Sequence, residues 1–207
     1  MNSFVNIKAI QEIDLGTVAE IHRVAFPKSF MTRLGFGPVR RYYHWQLTGP
    51  HQSVSLAAWR GEEMVGFCFA GRFRGALSGY LRANRSYLAA RLLLKFWLLA
   101  DPFCRGRVQV AVKRLMAPSR TPNRDNGVGR SFGILAIGVS PRARRLGVGR
   151  LLMDECERIA RDWGSEDLGL TVDPDNFEAI RFYEALGWEK LMRLGIWSGA
   201  MVKRLEK

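Results

Sequence analysis

The sequence predicts a mixed α/β fold, and three stretches carry the prediction. Residues 134–139 are a short apolar run closed by Ser140-Pro141, which reads as a buried strand ended by a turn. Just after it, Val148, Leu151, Leu152, Cys156, Ile159 and Ala160 recur at three-and-four spacing, the period of a helix with one apolar face. Residues 53–59 and 64–70 are two more strand-like runs, joined by the turn Arg60-Gly61-Glu62-Glu63.

The remaining elements follow in chain order. Residues 4–10 read as a first strand. Asp14 is placed to cap a helix running to Phe26, where Pro27 ends it. A second helix is expected over 36–47, opened by Gly37-Pro38 and closed by Gly49-Pro50. About sixty residues then separate the strand ending near Ala70 from the one beginning near Ser131. Residues 189–194 and 197–205 read as the last two strands.

Between the 134–139 strand and the helix lies Arg144-Arg145-Leu146-Gly147-Val148-Gly149-Arg150. A loop feeding a helix N-terminus presents backbone N–H groups with no partner inside the helix, and the dipole there favours an anion. Gly147 and Gly149 allow close approach of the backbone, while Arg144, Arg145 and Arg150 add full charges. A pyrophosphate suits that combination. A dinucleotide-binding fingerprint is excluded, because the third glycine is missing and this is not the first β–α unit of the chain.

Length and composition set the class. At 207 residues, with 47% hydrophobic and 25% charged residues, one globular domain with a sizeable core is expected. Cys68, Cys104 and Cys156 show no metal-ligand spacing and suit a reducing compartment. No spanning helix and no N-terminal signal pattern is read, so a cytoplasmic location is expected. The net charge of +13 is concentrated. From Arg72 to Arg130 there are thirteen Lys/Arg against Asp101 and Asp125, a local +11.

From Ile134 to Trp188 the chain resembles the GNAT superfamily of acetyl-CoA-dependent N-acetyltransferases. Arg144-x-x-Gly147-x-Gly149 is similar to that family's pyrophosphate loop. Residues 168–172 resemble its fifth strand. Asn176, Ala179, Phe182, Tyr183, Gly187 and Trp188 follow its closing pattern, with Trp where Phe is usual. The resemblance implies a central mixed sheet of about seven strands flanked by helices, and acetyl-CoA as co-substrate with no metal. It implies that Ile137 and Val139 lie along the pantetheine, with the Ile137 N–H polarising the thioester carbonyl. Arg145, Leu146, Gly147, Val148, Gly149 and Arg150 would surround the pyrophosphate, and Asn176 would lie near the cofactor arm. Tyr183 would protonate the departing thiolate, a general-acid role open to a phenol; alone, it would read as a packed aromatic.

The family often places a carboxylate on the fourth strand to deprotonate the amine, and Ser131-Phe132-Gly133-Ile134 has none. Asp173 is the substitute candidate, although Asp173-Pro174-Asp175-Asn176 is also a natural turn and helix start. His22, His44 and His51 are weaker candidates. Residues 26–35, between the first two helices, are where the acceptor is expected. The acceptor itself is left open between a phosphorylated or lipid-linked amino sugar and another protein or small-molecule amine. A non-catalytic acyl-CoA-binding module is the alternative from another class.

Relative to compact members of the family, residues of about 72–128 form a basic insertion. Within it, 88–100 reads as one amphipathic helix, with Arg91 and Lys95 on a basic face and Leu92, Phe96 and Leu99 on an apolar one. It suits the interface of an anionic membrane, at the inner face if so, or packing on the protein's own core, or a lid hinged at Gly71, Gly75 and Gly79. Nucleic acid is disfavoured because no recognised binding module accompanies the charge. A homodimer is left open.

Overall fold

Among the described residues, seven strands make one sheet: β1 (Val5–Ala9), β2 (Gln52–Arg60), β3 (Glu63–Arg72), β4 (Phe132–Val139), β5 (Asp167–Thr171), β6 (Glu189–Lys190) and β7 (Ala200–Arg204). Their spatial order is β1-β2-β3-β4-β5-β7-β6. Neighbouring pairs are antiparallel except β4–β5, which is parallel. This is the mixed sheet the sequence predicts. The structure is a computed structural model that describes residues 4–72, 76–116 and 132–205.

The chain divides into two units. The first holds the sheet and everything after β4; the second holds Ile10–His51 and the helices that follow β3. In the sheet unit, β3 is buried from Met64 through Gly71. Helix α7 (Val148–Asp162) lies on β3 and β4. Its buried residues Val148, Leu152, Met153, Cys156 and Ala160 make the apolar stripe; of the predicted face, Leu151 is exposed and Ile159 half-buried. Cutting Leu152, fully buried, back to Ala would cost about 2–5 kcal/mol. Glu157 on the same helix is buried but paired, its Oε1 accepting from Lys203 Nζ at 2.6 Å. The pairing ties α7 to β7 without leaving a lone buried charge. Helix α8 (Phe177–Glu184) completes the unit.

The helical unit comprises α1 (Leu15–Ala25), α2 (Phe30–Leu34), α3 (Phe36–Thr48), α4 (Ala76–Ala83), α5 (Arg85–Leu93), a 3-10 turn over Phe96–Ala100 and α6 (Pro102–Met116). Helices α1 and α3 pack together, with His22 against the edge of Tyr43. Tyr80 of α4 donates to the Pro38 carbonyl at 3.1 Å, and the Trp45 indole donates to the Ala76 carbonyl at 2.9 Å.

Several local expectations are corrected. Residues 26–35 are not all loop: Ser29 accepts from the Thr32 N–H at 3.1 Å and caps the short α2. Asp14 does not cap α1. It accepts from the Gln11 N–H at 2.8 Å and closes a 3-10 turn instead. The helix predicted over 88–100 breaks at Leu93, and Asp101 caps α6 by accepting from the Phe103 N–H. Arg91 and Lys95 do not form a solvated face. They donate to the carbonyls of Leu34 and Arg33, at 2.9 and 2.8 Å, where the last carbonyls of α2 need partners. Of the proposed hinge glycines, Gly79 lies inside α4 against the Trp45 ring. Gly75 and Ser131, like the 117–131 portion of the basic segment, lie outside the described residues.

Candidate active site

The site begins where β4 leaves β5. Among the described residues, the two strands pair only at Phe132–Leu168 and Gly133–Gly169. On its other side β4 stays paired with β3 as far as Val139, opposite Gly66. That register contains a bulge: Ala136 faces Phe69 and Ile134 faces Ala70, which leaves Leu135 without a counterpart. A bulge bends its strand and sharpens its twist. It falls just past the last β4–β5 pair, so from Ile134 onward the β5-facing edge of β4 is free of strand partners. An unpaired edge offers backbone donors and acceptors to an extended ligand, as an added strand would use them. Ile137 and Val139, predicted to line such a ligand, both lie on this free stretch.

β4 runs into the arginine–glycine loop. The Ser140 N–H donates to the Val65 carbonyl at 2.8 Å and anchors the loop to β3. Arg145 (φ 62°) and Gly147 (φ 77°) both adopt left-handed backbone. For Gly147 this is the ordinary use of a residue without Cβ; for Arg145 it is strain, the kind held where a surrounding structure over-determines it. Among the described residues, no backbone acceptor meets the N–H of Arg145, Leu146, Gly147, Val148, Gly149 or Arg150; the first bond of α7 is Leu151 N–H to the Gly147 carbonyl, 3.0 Å. Arg144, Arg145 and Arg150 are exposed, and no described carboxylate lies within ion-pair distance of them. Unpaired N–H groups, a helix N-terminus and three free guanidinium groups make a strong receptor for a phosphate-class anion.

Gly149 also has a packing reason that lies outside its own loop. A Cβ there would sit 3.1 Å from Phe182 Cζ, so this glycine lets α7 and α8 come together. The contact settles α8, and with it Tyr183. The Tyr183 side chain is nearly buried, between Phe182 (ring centroids 5.3 Å apart) and Trp188 (5.9 Å). Burial, with a smaller contribution from nearby Cys68, raises its phenol well above the ordinary range, so the proton is held firmly at neutral pH. Cys68 is the cross-strand partner of Ile137, and it belongs with Tyr183 to one core cluster against which Ile137 packs. The Cys68 thiol is itself pushed up by its contact with Cys156 (Sγ–Sγ 3.4 Å) and by burial, the opposite of an activated nucleophile.

Two other expected residues have local structural duties. Asp173 is exposed, and its Oδ1 accepts from the Asp175 N–H at 3.0 Å, closing a turn after β5. Asn176 caps α8 by accepting from the Ala179 N–H at 3.1 Å. All three histidines belong to the helical unit. His44 is exposed, 3.8 Å from Glu12, and His51 contacts the Gln46 carbonyl at 3.0 Å. His22 is buried, with Nδ1 2.8 Å from the Tyr43 hydroxyl and Nε2 3.2 Å from Ser29 Oγ. Burial lowers its pKa from 6.5 to about 4. No local sequence pattern marks the bulge at Leu135, the strain at Arg145 or the Phe182–Gly149 contact; only Phe182 carries a signal, in the closing aromatic pattern.

Residues 119–188 match the acetyltransferase (GNAT) family. Over this stretch the chain resembles that family. The matched stretch runs through β4, the loop, α7, β5 and α8, the elements that build the site. Solved structures agree at the level of the GNAT fold. The structure of yncA from Salmonella typhimurium with acetyl-CoA superposes with a TM-score of 0.56 at 15% identity, covering 100% of this chain and 96% of that one. The ribosomal-protein-alanine N-acetyltransferase of Brucella melitensis gives 0.58 at 17%, covering 97% and 99%. The paia N-acetyltransferase of Thermoplasma acidophilum, in complex with coenzyme A, gives 0.58 at 12%, covering 98% and 99%. No match was found among curated protein sequences.

Proposed function

We propose that this protein transfers the acetyl group of acetyl-CoA to a primary amine by direct attack. The observation that carries the reading is the free β4 edge running into a loop of unpartnered N–H groups and unpaired arginines. An extended arm with an anionic end fits that continuous sequence of donors, and the pantetheine–pyrophosphate of acetyl-CoA is such an arm. Arg144, Arg145, Leu146, Gly147, Val148, Gly149 and Arg150 hold the pyrophosphate; Ile137 and Val139 take the pantetheine by backbone hydrogen bonds.

The amine nitrogen bonds to the thioester carbon while the Ile137 N–H supports the negative charge gathering on the carbonyl oxygen. The carbon–sulfur bond then breaks. The electron pair leaves on sulfur, Tyr183 gives its proton to the thiolate, and the attacking ammonium releases its extra proton to water. Burial keeps the Tyr183 phenol protonated at neutral pH, so the donor is present at each turnover; it is a weaker acid than a thiol of ordinary pKa about 8.5, and the phenolate left by the transfer takes its proton back from water. No covalent acyl-enzyme is invoked: Cys156 is fully buried and the Cys68 thiol is held protonated.

For the acceptor, the local +11 favours an anionic amine, such as a phosphorylated or lipid-linked amino sugar, and disfavours polycations. The test is calorimetric titration of acetyl-CoA together with CoA release across amino-sugar phosphates, peptide N-termini and small amines. Micromolar binding, lost by about 100-fold in Arg145→Glu/Gly147→Glu, with CoA release above buffer for one amine class, is expected. Binding without release for any amine would make the chain an acyl-CoA-binding module. No binding by folded protein would remove the reading.

A further inference from the structure

The helical unit presents an apolar ridge. Leu93, Leu94, Phe96 and Trp97 are 74%, 67%, 68% and 57% exposed, and Leu99 and Phe103 are also exposed. Scattered exposed apolar residues are ordinary, but six large ones within eleven positions are a patch. The ridge is held in this attitude by polar contacts pointing the other way. Lys95 and Arg91 reach inward to the carbonyls of Arg33 and Leu34, and Asp101 pairs with Arg33. Ordinary folding buries the apolar side chains of a turn and leaves its cations in water; this segment does the reverse.

The charge around the ridge says what covers it. From Ala76 to Met116 there are eight Lys/Arg and one acid, Asp101, already paired with Arg33. Arg85, Arg105, Lys113 and Arg114 are exposed, with no described carboxylate within ion-pair distance. Arg107 stacks over the Phe103 ring at 5.2 Å. A second copy of this surface would bring like charges together, which disfavours a symmetric dimer through it. An anionic bilayer meets both features: the headgroups attract the cations, and the Trp97, Phe96 and leucine side chains enter the headgroup–acyl boundary. We infer that the segment Leu93–Phe103 docks the protein on the surface of a membrane rich in anionic lipid, without crossing it. Among the described residues, no helix is long and apolar enough to span.

The inference goes beyond acetyl transfer and is tested apart from it. The full chain is co-sedimented with vesicles of phosphatidylcholine alone and with vesicles containing one-third phosphatidylglycerol. Binding to the anionic vesicles at least about tenfold tighter is expected, weakened by raising the salt to about 0.5 M. Phe96→Ser/Trp97→Ser changes only exposed side chains and should lower binding by about tenfold or more, with circular dichroism and acetyl-CoA affinity unchanged. Arg105→Glu/Lys113→Glu should do the same through charge. No sedimentation of wild type with anionic vesicles would overturn the proposal. So would binding indifferent to both variants, or a wild-type dimer that Phe96→Ser/Trp97→Ser converts to monomer. Loss of acetyl-CoA binding would bear on the acetyltransferase reading alone.

Discussion

The two units place their polar and apolar groups in opposite ways. In the sheet unit, these polar and reactive side chains turn inward: Glu157 pairs with Lys203, Tyr183 lies between two rings and Cys68 sits against Cys156. What it leaves open is backbone, at the β4 edge and in the loop of Arg145 to Arg150. In the helical unit, the cations Arg91 and Lys95 serve the backbone of α2, and large apolar side chains from Leu93 to Phe103 face outward. A free backbone edge is a receptor for one extended ligand of defined chemistry. An outward apolar ridge in a field of cations recognises a surface. On the proposed readings, acetyl transfer belongs to the first unit and membrane placement to the second.

The sharpest way to break that division is at Tyr183. If the sheet unit carries the chemistry, Tyr183→Phe should lower kcat by about 100-fold or more while acetyl-CoA affinity stays within about twofold. Equal loss of affinity and rate would show that the ring only packs. The pH response follows from the raised phenol. A group whose folded pKa lies above its unfolded value stabilises the fold fully below the unfolded pKa, about 10 for tyrosine, and that stability is lost as pH rises through the folded value. Wild type should therefore lose more stability than Tyr183→Phe above pH 10, as measured by urea denaturation at pH 9 and pH 11.

His22 sharpens the comparison from the other side. Its pKa, lowered by burial to about 4, contributes stability that is present above 6.5 and lost as pH falls through 4. The amount is about 3 kcal/mol. Amide exchange, corrected for its intrinsic pH dependence, should quicken by about tenfold or more in α1 and α3 between pH 7 and 4, and much less in β2 and β3. Exchange that quickens first in the sheet would place the acid-sensitive step elsewhere.

The loop glycines give a smaller, split effect. Gly149→Leu would press on Phe182 and should cost about 1–3 kcal/mol by overpacking α7 against α8. Gly147→Ala meets nothing within 4 Å and should cost only the left-handed backbone preference, about 1 kcal/mol. Denaturant midpoints measure both. Equal costs would mean that the two glycines do the same thing.

How legible each part was depends on whether its cause is local. The strands, α7 and the arginine–glycine loop announce themselves because period, turn residues and helix start are properties of neighbouring residues. The two loop glycines look alike in sequence, yet Gly147 answers to its own backbone and Gly149 to Phe182, thirty-three residues on. The bulge at Leu135 is set by pairing with β3, so no pattern within β4 reveals it. The helix expected over 88–100 shows the same limit. Its three-and-four spacing is real, but Lys95 and Arg91 find better partners in the end of α2, about sixty residues earlier, and the helix stops at Leu93. Long-range acceptors overrode a local propensity that is only a weak prior.

Asp173 is the residue on which the smallest effect is most informative. Its carboxylate is exposed and accepts the Asp175 N–H across a turn that leads into the Asn176 cap of α8. Asparagine at this position can accept the same bond through its amide oxygen, but it cannot take up a proton. Asp173→Asn therefore removes a base and keeps a turn, which Asp173→Ala would not do. If the residue only shapes the path from β5 to α8, kcat/KM should stay within about twofold between pH 6 and 9, because every bond the turn needs is still made. A drop of about 100-fold at unchanged acetyl-CoA affinity, together with loss of the acid limb of the pH profile, would instead make Asp173 the group that deprotonates the amine. The first outcome leaves proton removal to water and favours acceptors whose amine is already largely neutral at working pH, which narrows the acceptor panel.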